Sequence, residues 1–144
     1  MDEIYPMPLF VHLSVGDVAT SARWYQEALG FHSVYSMPGP DGAQLMNHLR
    51  LGRYQDLMLV PQPPNLVGIE KGLGATIYIN YERDLDVLAQ QALAHGATVQ
   101  GPEHTPWNTR QLTVTDPDGY VLAFSQVVDP GRSFDDVKGE VIPA

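Results

Sequence analysis

The chain has no cysteine, which removes disulfides, thiolate metal sites and cysteine nucleophiles together. A reducing compartment is the default for such a chain, and a cytoplasmic location is expected. Basic residues are also few. Eight Lys and Arg stand against 17 Asp and Glu, giving a net charge of −9. Only two of the eight are lysines and all eight are scattered, whereas a phosphate backbone is bound by clustered cations. Nucleic acid is therefore not an expected partner. No apolar run approaches the roughly 20 residues that cross a bilayer, so no membrane partner is expected. The N-terminus, Met1-Asp2-Glu3, lacks the basic and apolar segments of a secretory signal. No Gly-rich phosphate loop, Ser-His-Asp arrangement or paired-carboxylate signature stands out. The acidity either keeps the protein soluble or attracts a cationic ligand.

What is present is a repeat. Leu9 to Phe31 reads as an apolar strand, an acidic cap, a helix and a Gly-aromatic stop, and Ala75 to Ala97 reads the same way. Val11 falls on Ile77, and Gly30 on Gly96. With 44% apolar residues in 144, the chain is one compact domain or two small fused modules sharing a sheet. The expected organisation is a single domain over 1–144: a first module at 8–60, a linker at 61–74, a second module at 75–128 and a tail at 129–144.

Alternation places Val11, Leu13 and Val15 on one face of a strand and Phe10, His12 and Ser14 on the other. Asp17 offers an N-cap, Val18, Ala22, Tyr25 and Leu29 recur at helical spacing, and Gly30 supplies the left-handed stop. Ser33 to Met37 is a short strand. Gln44 to Leu51 and Asp56 to Val60 form a hairpin around Gly52-Arg53-Tyr54. In the second module, Thr76, Tyr78 and Asn80 share one strand face. Leu85, Leu88, Ala92 and Leu93 mark a helix ending at His95-Gly96, and Thr98 to Gln100 is a short strand before Gly101-Pro102. Arg110 to Thr115 and Tyr120 to Val127 are strands joined by Asp116-Pro117-Asp118-Gly119, the chemistry of a type I turn. The tail is polar, with little periodicity; it is either an arm over a partner or mobile.

Each module is thus β-α-β-β-β. The expected fold is α+β, two βαβββ modules forming a curved eight-stranded mixed sheet with helices on the convex face. A ligand would sit on the opposite, concave face.

Val15-Gly16-Asp17 with Ser21, Trp24-Tyr25 and Leu29-Gly30-Phe31, followed much later by Asp116-Pro117-Asp118-Gly119-Tyr120, resembles the vicinal oxygen chelate superfamily over residues 8 to 128. That superfamily includes glyoxalase I, extradiol dioxygenases and the fosfomycin- and bleomycin-resistance proteins. Pro106-Trp107 followed by Arg110-Gln111 is similar to the bleomycin-resistance branch, although Gln111 stands where Glu is common. The resemblance implies metal-independent antibiotic sequestration by a homodimer with clefts at its interface.

Metal enzymes of the superfamily hold a divalent ion with His and Glu from four inner strands. Carried over by position, those ligands are Phe10, Met58, Thr76 and Ala123, none of them a good donor for a hard or borderline ion. No metal and no cofactor are expected. His12 and His48 share the open face; they either bond neighbours or ligand, bind a displaced metal, or act as acid and base. No carboxylate is placed inward beside them. Glu82, Asp84 and Asp86 read as a helix-capping cluster, and His95 as a helix-end residue.

The side chains suit binding better. Phe10, Met46, Met58, Tyr78 and Val121 make an apolar, aromatic floor, with His12, Ser14, His48, Arg50, Asn80 and Ser125 as polar contacts. Trp107 overhangs the site from its Pro-rich loop, or is a buried structural residue. The expected ligand contacts are Phe10, His12, His48, Arg50, Met58, Tyr78, Asn80, Trp107 and Arg110. Three functions compete. The first is a homodimer sequestering a small aromatic or heterocyclic compound. The second is a metal-dependent lyase, isomerase or dioxygenase with displaced ligands. The third is a non-catalytic module that senses a ligand or assembles partners.

Overall fold

A computed structural model describes residues 4–141. The chain divides into two compact units, one ending at Lys71 and the other starting at Gly72. Among the described residues eight strands form two four-stranded mixed sheets, one in each unit. The α+β class and the β-α-β-β-β order of both halves are as expected from the repeat. Among the described residues no helix is long and apolar enough to cross a membrane.

The first unit runs β1 (Phe10–Val15), α1 (Val18–Leu29), β2 (His32–Pro38), β3 (Gln44–Arg50) and β4 (Asp56–Pro61). The sheet order is β1-β4-β3-β2, with β1 and β4 parallel and the other pairs antiparallel. The helix starts where Asp17 accepts a bond from the Thr20 amide at 2.8 Å, and ends at Gly30, whose φ of +77° is left-handed. Leu13, Val15, Leu49, Leu57 and Leu59 are buried, as are Val18, Ala22, Tyr25 and Leu29 on the inner stripe of α1. Removing a core leucine such as Leu59 costs roughly 2–5 kcal/mol. This packing fixes the strand faces. Because Leu57 and Leu59 point to α1, Asp56 and Met58 must point the other way.

The second unit runs β5 (Ile77–Asn80), α2 (Leu85–Ala94), β6 (Thr98–His104), β7 (Thr109–Thr115), β8 (Val121–Val127) and α3 (Phe134–Val141), with sheet order β5-β8-β7-β6. Asp84 caps α2 by accepting from the amides of Asp86 and Val87. The Asp116 carboxylate takes the amides of Asp118 and Tyr120, both at 2.9 Å, which holds the β7–β8 turn. Leu112, Val114, Leu122 and Phe124 form the buried face.

Three local expectations need correction. The tail at 129–144 contains a helix, α3, up to Val141. Ser133 Oγ accepts from the Asp136 amide at its start, and Asp135 and Asp136 occupy its first turn. Residues 142–144 lie outside the described ones. β6 does not stop at Gln100 but passes through the cis Gly101-Pro102 bond to His104, with a register shift against β7 between Gln100 and Glu103. Ala89, not Leu93, completes the buried stripe of α2; Leu93 is exposed.

Candidate binding site

The face of the first sheet away from α1 carries two rows of side chains across its strands. One row is Phe10, Asp56, Arg50 and His32; the next is His12, Met58, His48 and Tyr35. The face predicted for Phe10, His12, His48, Arg50 and Met58 is therefore the one they share. Phe10 and His12 touch as tilted rings 5.7 Å apart. Phe10, His12 and Tyr35 are exposed, and Met58 is half-buried.

Asp56 organises this face. Its Oδ1 lies 2.7 Å from His48 Nε2 and accepts from Arg50 Nε at 2.6 Å, while its Oδ2 accepts from the Tyr5 hydroxyl at 2.7 Å. Asp56 has no exposed side-chain surface, and Arg50 and His48 retain only 3% and 11%. Tyr5 is further fixed. Its oxygen accepts from the Tyr54 amide at 2.9 Å, its ring lies 4.2 Å under the Arg50 guanidinium, and Tyr54 meets it edge-on. Burial pushes the Asp56 carboxyl up. The hydrogen bonds from Tyr5, His48 and Arg50, with the Arg50 charge, outweigh that push and hold it below its ordinary value.

Sequence reasoning missed both Asp56 and Tyr5. The expectation that no carboxylate faces inward is wrong. Asp56 alternates with Leu57 exactly as Met58 does, so the parity that placed Met58 inward places Asp56 there too. For Tyr5 there was no signal, because Ile4 to Leu9 has no strand or helix pattern to assign it a face.

In the second sheet, Tyr78, Ala123 and Thr113 form one cross-strand row, and Asn80, Ser125 and Gln111 the next. Tyr78 is 61% exposed. A depression of about 450 Å³ opens at this end of the sheet, lined by Asn80, Tyr81, Glu82, Ser125, Gln126 and Val127. Arg110 does not join Tyr78 and Asn80. It has the parity of buried Leu112, so it lies on the helix side, where it grips Asp86 with two bonds of 2.8 and 3.1 Å. That grip holds the Asp86 carboxyl below its ordinary value. Trp107 sits in the β6–β7 turn, 48% exposed, and so is not a buried structural residue. Asn108 bonds the backbone at Val128 and Asp129, tying the turn to the segment after β8.

The residues present do not fit the metal of the resembled enzymes. Phe10 and Ala123 have no donor atom, Met58 offers a thioether and Thr76 a neutral hydroxyl. Among the described residues no three His, Asp or Glu are grouped so as to hold a metal ion. His48 and Asp56 do meet, but a cation approaching them would face the Arg50 guanidinium.

The sequence model of the Glyoxalase/Bleomycin resistance protein/Dioxygenase superfamily matches residues 9–124. An uncharacterised protein of Mycobacterium bovis is 31% identical, with 81% of each chain covered. Among solved structures, a glyoxalase/bleomycin resistance protein from Streptomyces sp. CB03234 is 26% identical with a TM-score of 0.63, covering 81% of this chain and 97% of that one. TnmS3, an antibiotic binding protein from the same source, is 25% identical with a TM-score of 0.62, covering 88% of this chain and 98% of its own.

Proposed function

The chain belongs to the glyoxalase/bleomycin resistance protein/dioxygenase superfamily, and we propose that within it this protein binds a small, flat aromatic or heterocyclic compound without a metal and without turning it over. One observation carries the reading. On the open face of the first sheet the charged groups are spent on one another, through Asp56, Arg50, His48 and Tyr5. What is left outward is rings and a thioether: Phe10, His12, Tyr35 and Met58. Aromatic faces and a polarizable sulfur suit stacking on a flat ligand. Tyr78 offers a similar surface on the second sheet. The likeness to an antibiotic binding protein supports an antibiotic as the compound.

A homodimer belongs to the same proposal. Phe10, Tyr35, Met37 and Leu45 expose apolar surface on the first unit, and a second copy would cover some of it.

The second reading is a metal-dependent lyase, isomerase or dioxygenase with displaced ligands. Its support is the sharing of one face by His12 and His48. They are two strands apart with Met58 between them, a backbone separation of about 10 Å.

A thermal-shift panel of flat aromatic antibiotics and metabolites, run on chelator-treated protein, tests the proposal. Ligand at a hundredfold excess over Kd adds about 2.7 kcal/mol of stability. Stabilisation that needs no metal supports binding. Stabilisation that appears only when zinc, nickel, manganese or iron is restored supports the second reading.

A further inference from the structure

His48 presents one nitrogen to Asp56 and leaves the other for a ligand. An ionised carboxylate only accepts hydrogen bonds, so the 2.7 Å contact between His48 Nε2 and Asp56 Oδ1 requires Nε2 to donate. Arg50 already balances the Asp56 charge on that same oxygen. A neutral imidazole with its proton on Nε2 satisfies the cluster, and Nδ1 then carries a lone pair. Among the described residues nothing bonds Nδ1, and it is not one of the buried polar atoms without a partner. It therefore opens to the sheet face, between Met58 on β4 and Tyr35 on β2. The ring itself is almost wholly buried, so its direction is set before any ligand arrives.

We propose that His48 Nδ1 is an acceptor subsite that selects flat aromatic ligands carrying an O–H or N–H donor at the ring edge, with Asp56 fixing the tautomer. This rests on the reading that the face takes a flat compound, and it names the ligand class. A compound with a phenolic hydroxyl or ring N–H is held by its edge while its plane rests on Tyr35 and Met58. A methyl ether or N-methyl analogue of the same shape leaves Nδ1 desolvated and unbonded, and is disfavoured.

The test is a matched pair, 2-naphthol and 2-methoxynaphthalene, titrated against the intact protein at pH 7.5 by ligand fluorescence. The wild type should prefer the naphthol by roughly five- to tenfold. His48→Phe keeps a ring of similar size and removes the acceptor, so its preference should fall to within about twofold. Equal binding of both compounds by the wild type overturns the subsite but leaves the flat-ligand reading standing. Binding of neither overturns both. A measurement on the wild type alone covers the case in which His48→Phe does not fold. The imidazole nitrogen resonances of His48 should show the proton on Nε2; a proton on Nδ1 overturns the proposal.

Discussion

Asp56 Oδ1 lies 2.7 Å from His48 Nε2, a contact between neighbouring antiparallel strands β4 and β3. The contact is part of a buried set, since Arg50 Nε donates to the same oxygen and the Tyr5 hydroxyl to Oδ2. Removing one member of a buried charged set leaves the others desolvated and unpaired, which is costlier than the set is stabilising.

Acid should expose this dependence. The Asp56 carboxyl is held below its ordinary value in the folded chain, so between the folded and unfolded values the unfolded state binds more protons. The stabilisation is complete above the unfolded value of about 3.9 and is lost as pH falls through the folded value. Asp56→Asn should cost roughly 3–5 kcal/mol at neutral pH. It should also flatten the loss of stability below about pH 4, because the titrating group is gone. Urea denaturation of both proteins across pH 3 to 7 measures this; parallel pH profiles would count against it.

Tyr5→Phe deletes one hydroxyl that donates to Asp56 and accepts from the Tyr54 amide. A hydrogen bond to a charged group contributes about 1.5–3 kcal/mol. The denaturation midpoint should fall by a corresponding amount with an unchanged slope, since the core is untouched.

The framework of the fold was legible in the sequence, and the site only partly so. Asp17 and Gly30 announced both ends of α1, and Asp116 to Gly119 announced the β7–β8 turn, because capping and turn chemistry are local. Alternation put Phe10, His12, Met58, Tyr78 and Asn80 on open faces. The same alternation would have set Arg110 on the helix side with Leu112, but Arg110 was chosen from a motif instead. Tyr5 was illegible as well: it bonds Asp56 and lies under the Arg50 guanidinium, but it arrives from a segment without periodicity, and such long-range pairing leaves no mark in local sequence.

Tyr78 and Trp107 are exposed, so replacing either by Ala should shift stability by no more than about 0.5 kcal/mol. If either anchors the ligand, its loss should weaken binding by roughly 1–3 kcal/mol. Calorimetric titration of variants with unchanged melting temperatures separates the two effects. Because Arg110 is held by Asp86, Arg110→Ala should leave affinity near that of the wild type.

Light scattering at micromolar concentration should give twice the mass of one chain. A monomer would remove the homodimer from the account without touching the open face of the first sheet.

The most direct test strips the protein with chelator, verifies the metal content by elemental analysis, and titrates it by calorimetry with the most stabilising compound of the thermal-shift panel. The compound is then recovered and checked for chemical change. The account predicts saturable binding by metal-free protein, unchanged when zinc, nickel, manganese or iron is added, and recovery of the compound intact. Binding or conversion that appears only with a stoichiometric metal, and that His12→Ala or His48→Ala abolishes, would contradict it.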